Sequence, residues 1–76
     1  MPIKNQDYPK FVKEVRSQLA ISQEDLARQI GVSFATVNRW ENRQSKPSKL
    51  AKTQLDAFCV RMIKAGKLNL PEWDKG

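Results

Sequence analysis

Apolar residues recur along this chain at spacings of three and four, and no stretch alternates in the manner of a strand. Phe11, Val12, Val15 and Leu19 form the first apolar stripe. Asp7 and Tyr8 precede Pro9, a residue suited to a first helical turn because its missing N–H would have no partner there. These positions predict a first helix that Ala20 and Ile21 end. A second helix opens at Ser22, which can cap it while Asp25 reaches back in a capping box. Ile21 and Leu26 are spaced as a hydrophobic staple, and Glu24 and Asp25 suit the positive end of the helix dipole. Leu26, Ala27 and Ile30 form its buried side, and Gly31 stops it with a residue free to take positive φ.

The pattern repeats two residues later. Ser33 can cap a third helix reading FATVNRWEN, with Val32 and Val37 spaced as its staple. Two short helices joined by a tight turn containing glycine outline a helix-turn-helix over residues 22–42. A polar, basic loop follows over 43–47. Ser48 then caps a fourth helix with a long stripe of Leu50, Ala51, Leu55, Phe58, Met62 and Ile63. Lys64 and Gly66 suit its C-terminus. The tail over 67–76 is expected to be free to move, with Trp73 either covering the open end of the bundle or moving with it. The expected architecture is all-α: a compact bundle of four or five helices in one domain spanning 1–76.

Composition narrows the function. The 76 residues are 39% hydrophobic and 29% charged, too short for a second domain and long enough only for a small core. One cysteine and no histidine leave no internal disulfide, no tetrahedral zinc site and no ordinary nucleophile–base pair. There are no clustered carboxylates and no phosphate-cradling glycine loop, so an enzyme is not expected, nor a cofactor or metal. No apolar run approaches a membrane span, and the first residues lack a signal peptide's apolar core. The protein is therefore expected in the cytoplasm. Cys59, between Phe58 and Val60, is expected to be a buried, inert thiol.

Charge supplies the positive clue. The chain carries +6, and the eight basic residues from Arg39 to Lys67 against Glu41 and Asp56 hold that whole excess. Such a stretch suits a polyanion, nucleic acid above all, although a lysine-rich helix face kept soluble by its charge looks the same. On a wheel of about 100° per residue, Ser33, Val37 and Trp40 share one side of the third helix, with Glu41 at its edge. Ala35, Asn38, Arg39 and Asn42 share the other, flanked by Phe34. Asn can bond adenine and Arg guanine bidentately in the major groove, while Ala and Phe suit a thymine methyl. The outer face of an ordinary amphipathic helix also tolerates these residues. Trp40 is expected in the core rather than stacked on bases; for Phe34, a thymine contact and packing on the second helix stand equal. Lys49 and Lys52 are expected on a solvated face.

The run SQEDLARQIGVSFATVNRWENRQSKPS resembles the DNA-binding domain of the Cro and lambda-repressor family, also called the XRE family. The resemblance covers Val12 to Leu55 and rests on Arg16, Ser22-Gln23, Leu26-Ala27, Ile30-Gly31-Val32-Ser33, Val37, Arg39-Trp40-Glu41-Asn42 and Lys46-Pro47-Ser48. It implies that Ser33, Phe34, Ala35, Asn38 and Arg39 face base edges. It implies that Ser22 and Gln23, and after the third helix Asn42, Arg43, Ser45 and Lys46, hold the sugar-phosphate backbone. Arg16 and Glu41 take positions that in this family form a partly buried ion pair, which makes Glu41 structural.

Two departures stand out. The family usually has glycine where Arg43 stands, which leaves Asn42 to take the left-handed turn. The break between a fourth and a fifth helix is also missing, so the fourth helix is longer here or the fifth differently placed. The expected function is a sequence-specific regulator of transcription on double-stranded DNA, a repressor by family habit. The alternative is an antitoxin, or a DNA-targeting or protein-interaction module partnered with a separately encoded toxin or enzyme. Surplus apolar residues at Phe58, Met62, Ile63, Leu68 and Leu70 suggest a homodimer interface, suited to a palindromic site.

Overall fold

The computed structural model describes residues 7–70, and in it each helix begins where a short polar side chain can satisfy an orphan N–H. Helix α1 spans Tyr8–Leu19, and the carboxylate of Asp7 accepts from the amide of Lys10. Helix α2 spans Gln23–Ile30 and starts with a complete capping box between Ser22 and Asp25. Helix α3 spans Phe34–Glu41 behind Ser33, and α4 spans Lys49–Lys64 behind Ser48. No strand occurs among the described residues, and no further helix follows α4 among them. The bundle measures 28 × 24 × 20 Å.

Each helix ends on a residue with positive φ: Ala20, Gly31, Arg43 and Gly66. After α3 the amide of Gln44 donates to the carbonyl of Arg39 at 2.8 Å, and that of Arg43 to Trp40 at 3.3 Å. This is a Schellman closure, which needs a left-handed residue at its centre. Arg43 takes that conformation itself, with φ of 61°, whereas Asn42 remains at φ of −97°. The expectation for Asn42 is thus corrected: the hydrogen-bonding pattern requires the left-handed residue one position after the cap. A bulky residue there costs about 1–2 kcal/mol.

The core lies where α3 packs on α1 and α2, and where α4 closes over α2. Phe11, Val12 and Val15 of α1 meet Leu26, Ala27 and Ile30 of α2, with Val37 and Trp40 of α3 fully enclosed between them. Trp40 is therefore a core residue. From α4 come Ala51, Leu55, Phe58 and Cys59. Burial, together with the negative charge of Asp56, pushes the Cys59 thiol up to about 12, so it stays protonated at neutral pH.

Three sequence expectations change here. Leu50 is 72% exposed rather than part of the stripe, because it sits about 100° round the helix from Ala51. The first part of the tail is held, not free. The Gln18 side chain donates to the carbonyl of Asn69 at 2.7 Å and accepts from its amide at 2.8 Å, while Leu68 and Leu70 enter the core. Pro71 and Trp73 lie outside the described residues. Finally, Phe58, Leu68 and Leu70 are buried by this chain itself, and Met62 and Ile63 pack partly against the same core. Most of the apolar surplus that suggested a dimer interface is thus buried within one chain, and Met62 and Ile63 stay partly exposed.

The two kinds of helix terminator should respond oppositely to substitution. A Cβ at Gly31 would meet only Gln54 Nε2 at 3.9 Å, so Gly31→Ala loses about 1–2 kcal/mol from backbone strain alone. Ala20→Gly gains about 0.5 kcal/mol, the relieved strain less the added freedom of the unfolded chain. Urea unfolding midpoints of the two variants against the parent measure both signs.

Candidate nucleic-acid interface

The surface of α3 is set by what its other side must bury. With Val37 and Trp40 turned inward, Ser33, Ala35, Arg39 and Asn42 are exposed, Asn38 is half-buried, and Phe34 is 52% exposed. Phe34 thus lies about half open at the surface. Nothing among the described residues covers this ridge.

Glu41 sits at the inner edge of the same helix and is only 4% exposed. A buried carboxylate needs partners, and it has three donors. Arg16 Nε donates to Oε2 at 2.6 Å and Arg16 Nη2 to Oε1 at 2.8 Å, a two-pronged pair. Gln23 Nε2 adds a third bond to Oε1 at 3.0 Å. Arg16 also donates through Nη1 to the carbonyl of Ile21 at 3.2 Å, tying α1 to the start of α2. Burial opposes the charge on Glu41, but the bonds from Arg16 and Gln23 and the charges of Arg16 and Lys13 outweigh it and hold its carboxyl below the ordinary value. The Glu41 bond raises the pKa of Arg16 in turn.

The network continues outward. Asn38 Nδ2 donates to Gln23 Oε1 at 3.1 Å, and Asn42 Nδ2 donates to Asn38 Oδ1 at 3.1 Å. These directions follow from chemistry. A carboxylate can only accept, so Gln23 must turn its NH₂ towards Glu41 and its oxygen towards Asn38. Asn38 must then give its NH₂ to Gln23 and its oxygen to Asn42. The charge on Glu41 fixes the orientation of three successive amides and leaves Asn38 one N–H and one lone pair unspent. The Arg16–Glu41 pair was legible as a pairing of positions; the role of Gln23 was not. Its one sequence signal is that a buried carboxylate has more acceptor capacity than one guanidinium fills.

The remaining residues divide by how firmly they are held. Ser22 and Ser33 cap their helices, accepting from Asp25 at 3.0 Å and Thr36 at 3.1 Å, and Ser33 Oγ also lies 2.8 Å from Thr36 Oγ1. Among the described residues Arg39 makes one side-chain hydrogen bond, to Thr36 Oγ1 at 3.5 Å. Arg43, Ser45 and Lys46 come together at a recess of about 270 Å³ between the start of α1 and the loop after α3, lined also by Tyr8, Pro9 and Gln44. Arg43 Nη2 lies 3.5 Å from Asp7 Oδ1, a contact that the sequence did not suggest. On the exposed face of α4 the Lys52 ammonium lies 5.7 Å from the centre of the Tyr8 ring. Among the described residues, no group of His, Cys, Asp or Glu is arranged to hold a metal ion, and no helix is long and apolar enough to cross a membrane.

Among known families, the model described as helix-turn-helix matches residues 12–50. That segment runs from inside α1 to the first turn of α4 and contains the whole Arg16–Glu41–Gln23–Asn38–Asn42 network. No curated protein and no solved structure matches the chain.

The buried pair sets an acid limit to stability. Glu41 titrates below its ordinary 4.5 in the folded chain, so its contribution is complete above that pH and disappears as pH falls through the lower native value. Glu41→Gln removes that pH dependence and costs about 3 kcal/mol at neutral pH, because Arg16 is left without its counter-charge. This lies at the low end for buried pairs, since Arg16 keeps 24% of its side chain exposed. Denaturant titrations of both proteins between pH 7 and pH 3 check the value and the slope.

Proposed function

This chain belongs to the helix-turn-helix family of Cro and lambda-repressor type, a family of DNA-binding proteins, and from that we propose that it is a sequence-specific regulator of transcription, a repressor, acting on double-stranded DNA in the cytoplasm at the nucleoid. The observation that carries the proposal is the uncovered ridge of α3, held at a fixed angle by the Arg16–Glu41 pair and bordered by cations.

The ridge has the chemistry for the major groove, whose width admits an α-helix. Asn38 offers its unspent N–H and lone pair as the bidentate partner of adenine N6 and N7. Arg39, nearly free in solution, reaches guanine O6 and N7. Ala35 and Phe34 meet a thymine methyl, and the Ser33 hydroxyl lies at the same edge. Ser22, Gln23 and the amides at the start of α2 hold one strand's phosphates, and Asn42, Arg43, Ser45 and Lys46 hold the backbone beyond α3. Glu41 would repel phosphate were it not neutralised by Arg16. Phosphate contacts supply most of the affinity, and Asn38 with Arg39 most of the choice of sequence. One recognition helix reads only a few base pairs, so two copies on a palindrome supply the specificity a regulator needs.

Selection of bound duplexes from a random pool identifies the preferred site. With about five phosphates neutralised, log K falls against log salt with a slope near −4.5. Arg39→Ala loses about 1–3 kcal/mol on that site and relaxes the preference at one base pair. An equal loss on every sequence would make Arg39 a phosphate contact, and absence of duplex binding would overturn the proposal.

A further inference from the structure

Tyr8 opens α1 with only 7% of its surface exposed. A buried tyrosine ordinarily finds a hydrogen-bond partner for its hydroxyl, because a phenol taken out of water without one is costly. Among the described residues this hydroxyl takes no hydrogen bond. No buried side-chain oxygen lacks a partner there either, so the Tyr8 oxygen must meet water. The recess of about 270 Å³ that Tyr8 lines with Pro9, Arg43, Gln44, Ser45 and Lys46 supplies that opening. For packing alone a phenylalanine would serve, so the hydroxyl suits an acceptor from outside the fold. The surroundings favour an anion. Arg43 and Lys46 are exposed cations, no carboxylate is among the residues lining the recess, and the Lys52 ammonium lies 5.7 Å from the centre of the Tyr8 ring. Two acids stand nearby: Asp7, in contact with Arg43, and Asp56, whose charge acts on Tyr8. Burial and the charge of Asp56 both push the Tyr8 hydroxyl above its ordinary pKa, so at neutral pH it is a donor. The recess is several times the ~30 Å³ that a water molecule occupies in the liquid, which leaves room for a phosphate group.

We propose that this recess seats a phosphate of the DNA backbone and that the Tyr8 hydroxyl donates to it beside Arg43 and Lys46. This rests on the DNA-binding proposal above and adds the start of α1 to the surface that grips the duplex. Arg43 and Lys46 attract a phosphate through charge, which salt screens. A hydroxyl on a buried ring instead sets where that phosphate sits, and so fixes the register of the duplex against α3. Every sequence presents the same phosphate, so Tyr8 contributes equally to all duplexes.

The test uses Tyr8→Phe in the full chain. Probes are the duplex selected from the random pool and a scrambled duplex of the same length, at about 50 and 200 mM salt. The variant should keep the parent's urea midpoint and weaken binding to both duplexes by about tenfold, the low end for a hydrogen bond to a charged group. Its salt slope should equal the parent's because no cation is lost, whereas Lys46→Gln should lower the slope by about 0.9. Selected duplexes with single phosphates replaced by neutral methylphosphonates complete a double-mutant cycle. At one position the penalty should be at least about threefold smaller in Tyr8→Phe than in the parent. Equal penalties at every position would make the role of the hydroxyl indirect and overturn the proposal. So would tight binding that Tyr8→Phe leaves unchanged, a loss confined to the selected duplex, or a lowered urea midpoint. If the parent binds neither duplex, the functional proposal fails and this one with it.

Discussion

The arrangement of this bundle depends on a carboxylate that has been taken out of water. Glu41 lies inside the angle between α1 and α3, and an isolated charge there would destabilise the fold severely. Arg16 answers it with two parallel hydrogen bonds, and Arg16 Nη1 reaches the backbone between α1 and α2. One ion pair thereby joins the three helices that must keep a fixed geometry if α3 is to be presented as a rigid edge. Replacing such a pair by apolar residues can be neutral for stability. What apolar residues would not supply is direction, since hydrophobic contact tolerates rotation of a helix while a two-pronged pair does not.

Direction is then passed along the amides. Gln23 is oriented by Glu41, Asn38 by Gln23, and Asn42 by Asn38, so donors and acceptors at the helix surface are determined by a charge beneath it. Arg39 stands apart from this series of amides, with one long hydrogen bond to Thr36 among the described residues. The ridge thus combines one positioned amide with one loosely held, exposed cation. In the proposed groove contact, the first discriminates by geometry, and the second adapts to the acceptor it meets. Arg43 and Asp7 show the same economy at the other end of the helix, where a strained backbone keeps a cation next to an anion that also serves as a cap.

Most of the secondary structure could be read directly because its causes are local. Ser22, Ser33 and Ser48 each bond an amide three residues ahead, and Gly31 and Gly66 take the left-handed turns expected of them. The core positions of α1 to α3 followed from helical spacing. Misreadings occurred where distant segments compete. Leu68 and Leu70 looked like surplus because nothing in the sequence reveals that Gln18, fifty-one residues before Asn69, clasps its backbone. Leu50 looked like core because it neighbours Ala51, yet a helix turns it away from α2. Arg43 looked unsuited to a left-handed turn, and only the closing hydrogen bonds after α3 settle which residue must adopt one.

The sequence by itself determined where helices start and stop, which faces are apolar, and that a cationic, histidine-free chain with a helix-turn-helix spacing is suited to a polyanion. Those features depend on neighbours within a turn or two, where propensity, capping and period act. The tertiary structure decided which polar groups are spent on one another and which stay free: Glu41 with Arg16 and Gln23, Arg43 with Asp7, and Asn38 half engaged. Hydrogen bonds and ion pairs reach only about 3 Å. A pairing between residues far apart in the chain therefore exists only once apolar burial has brought their helices together.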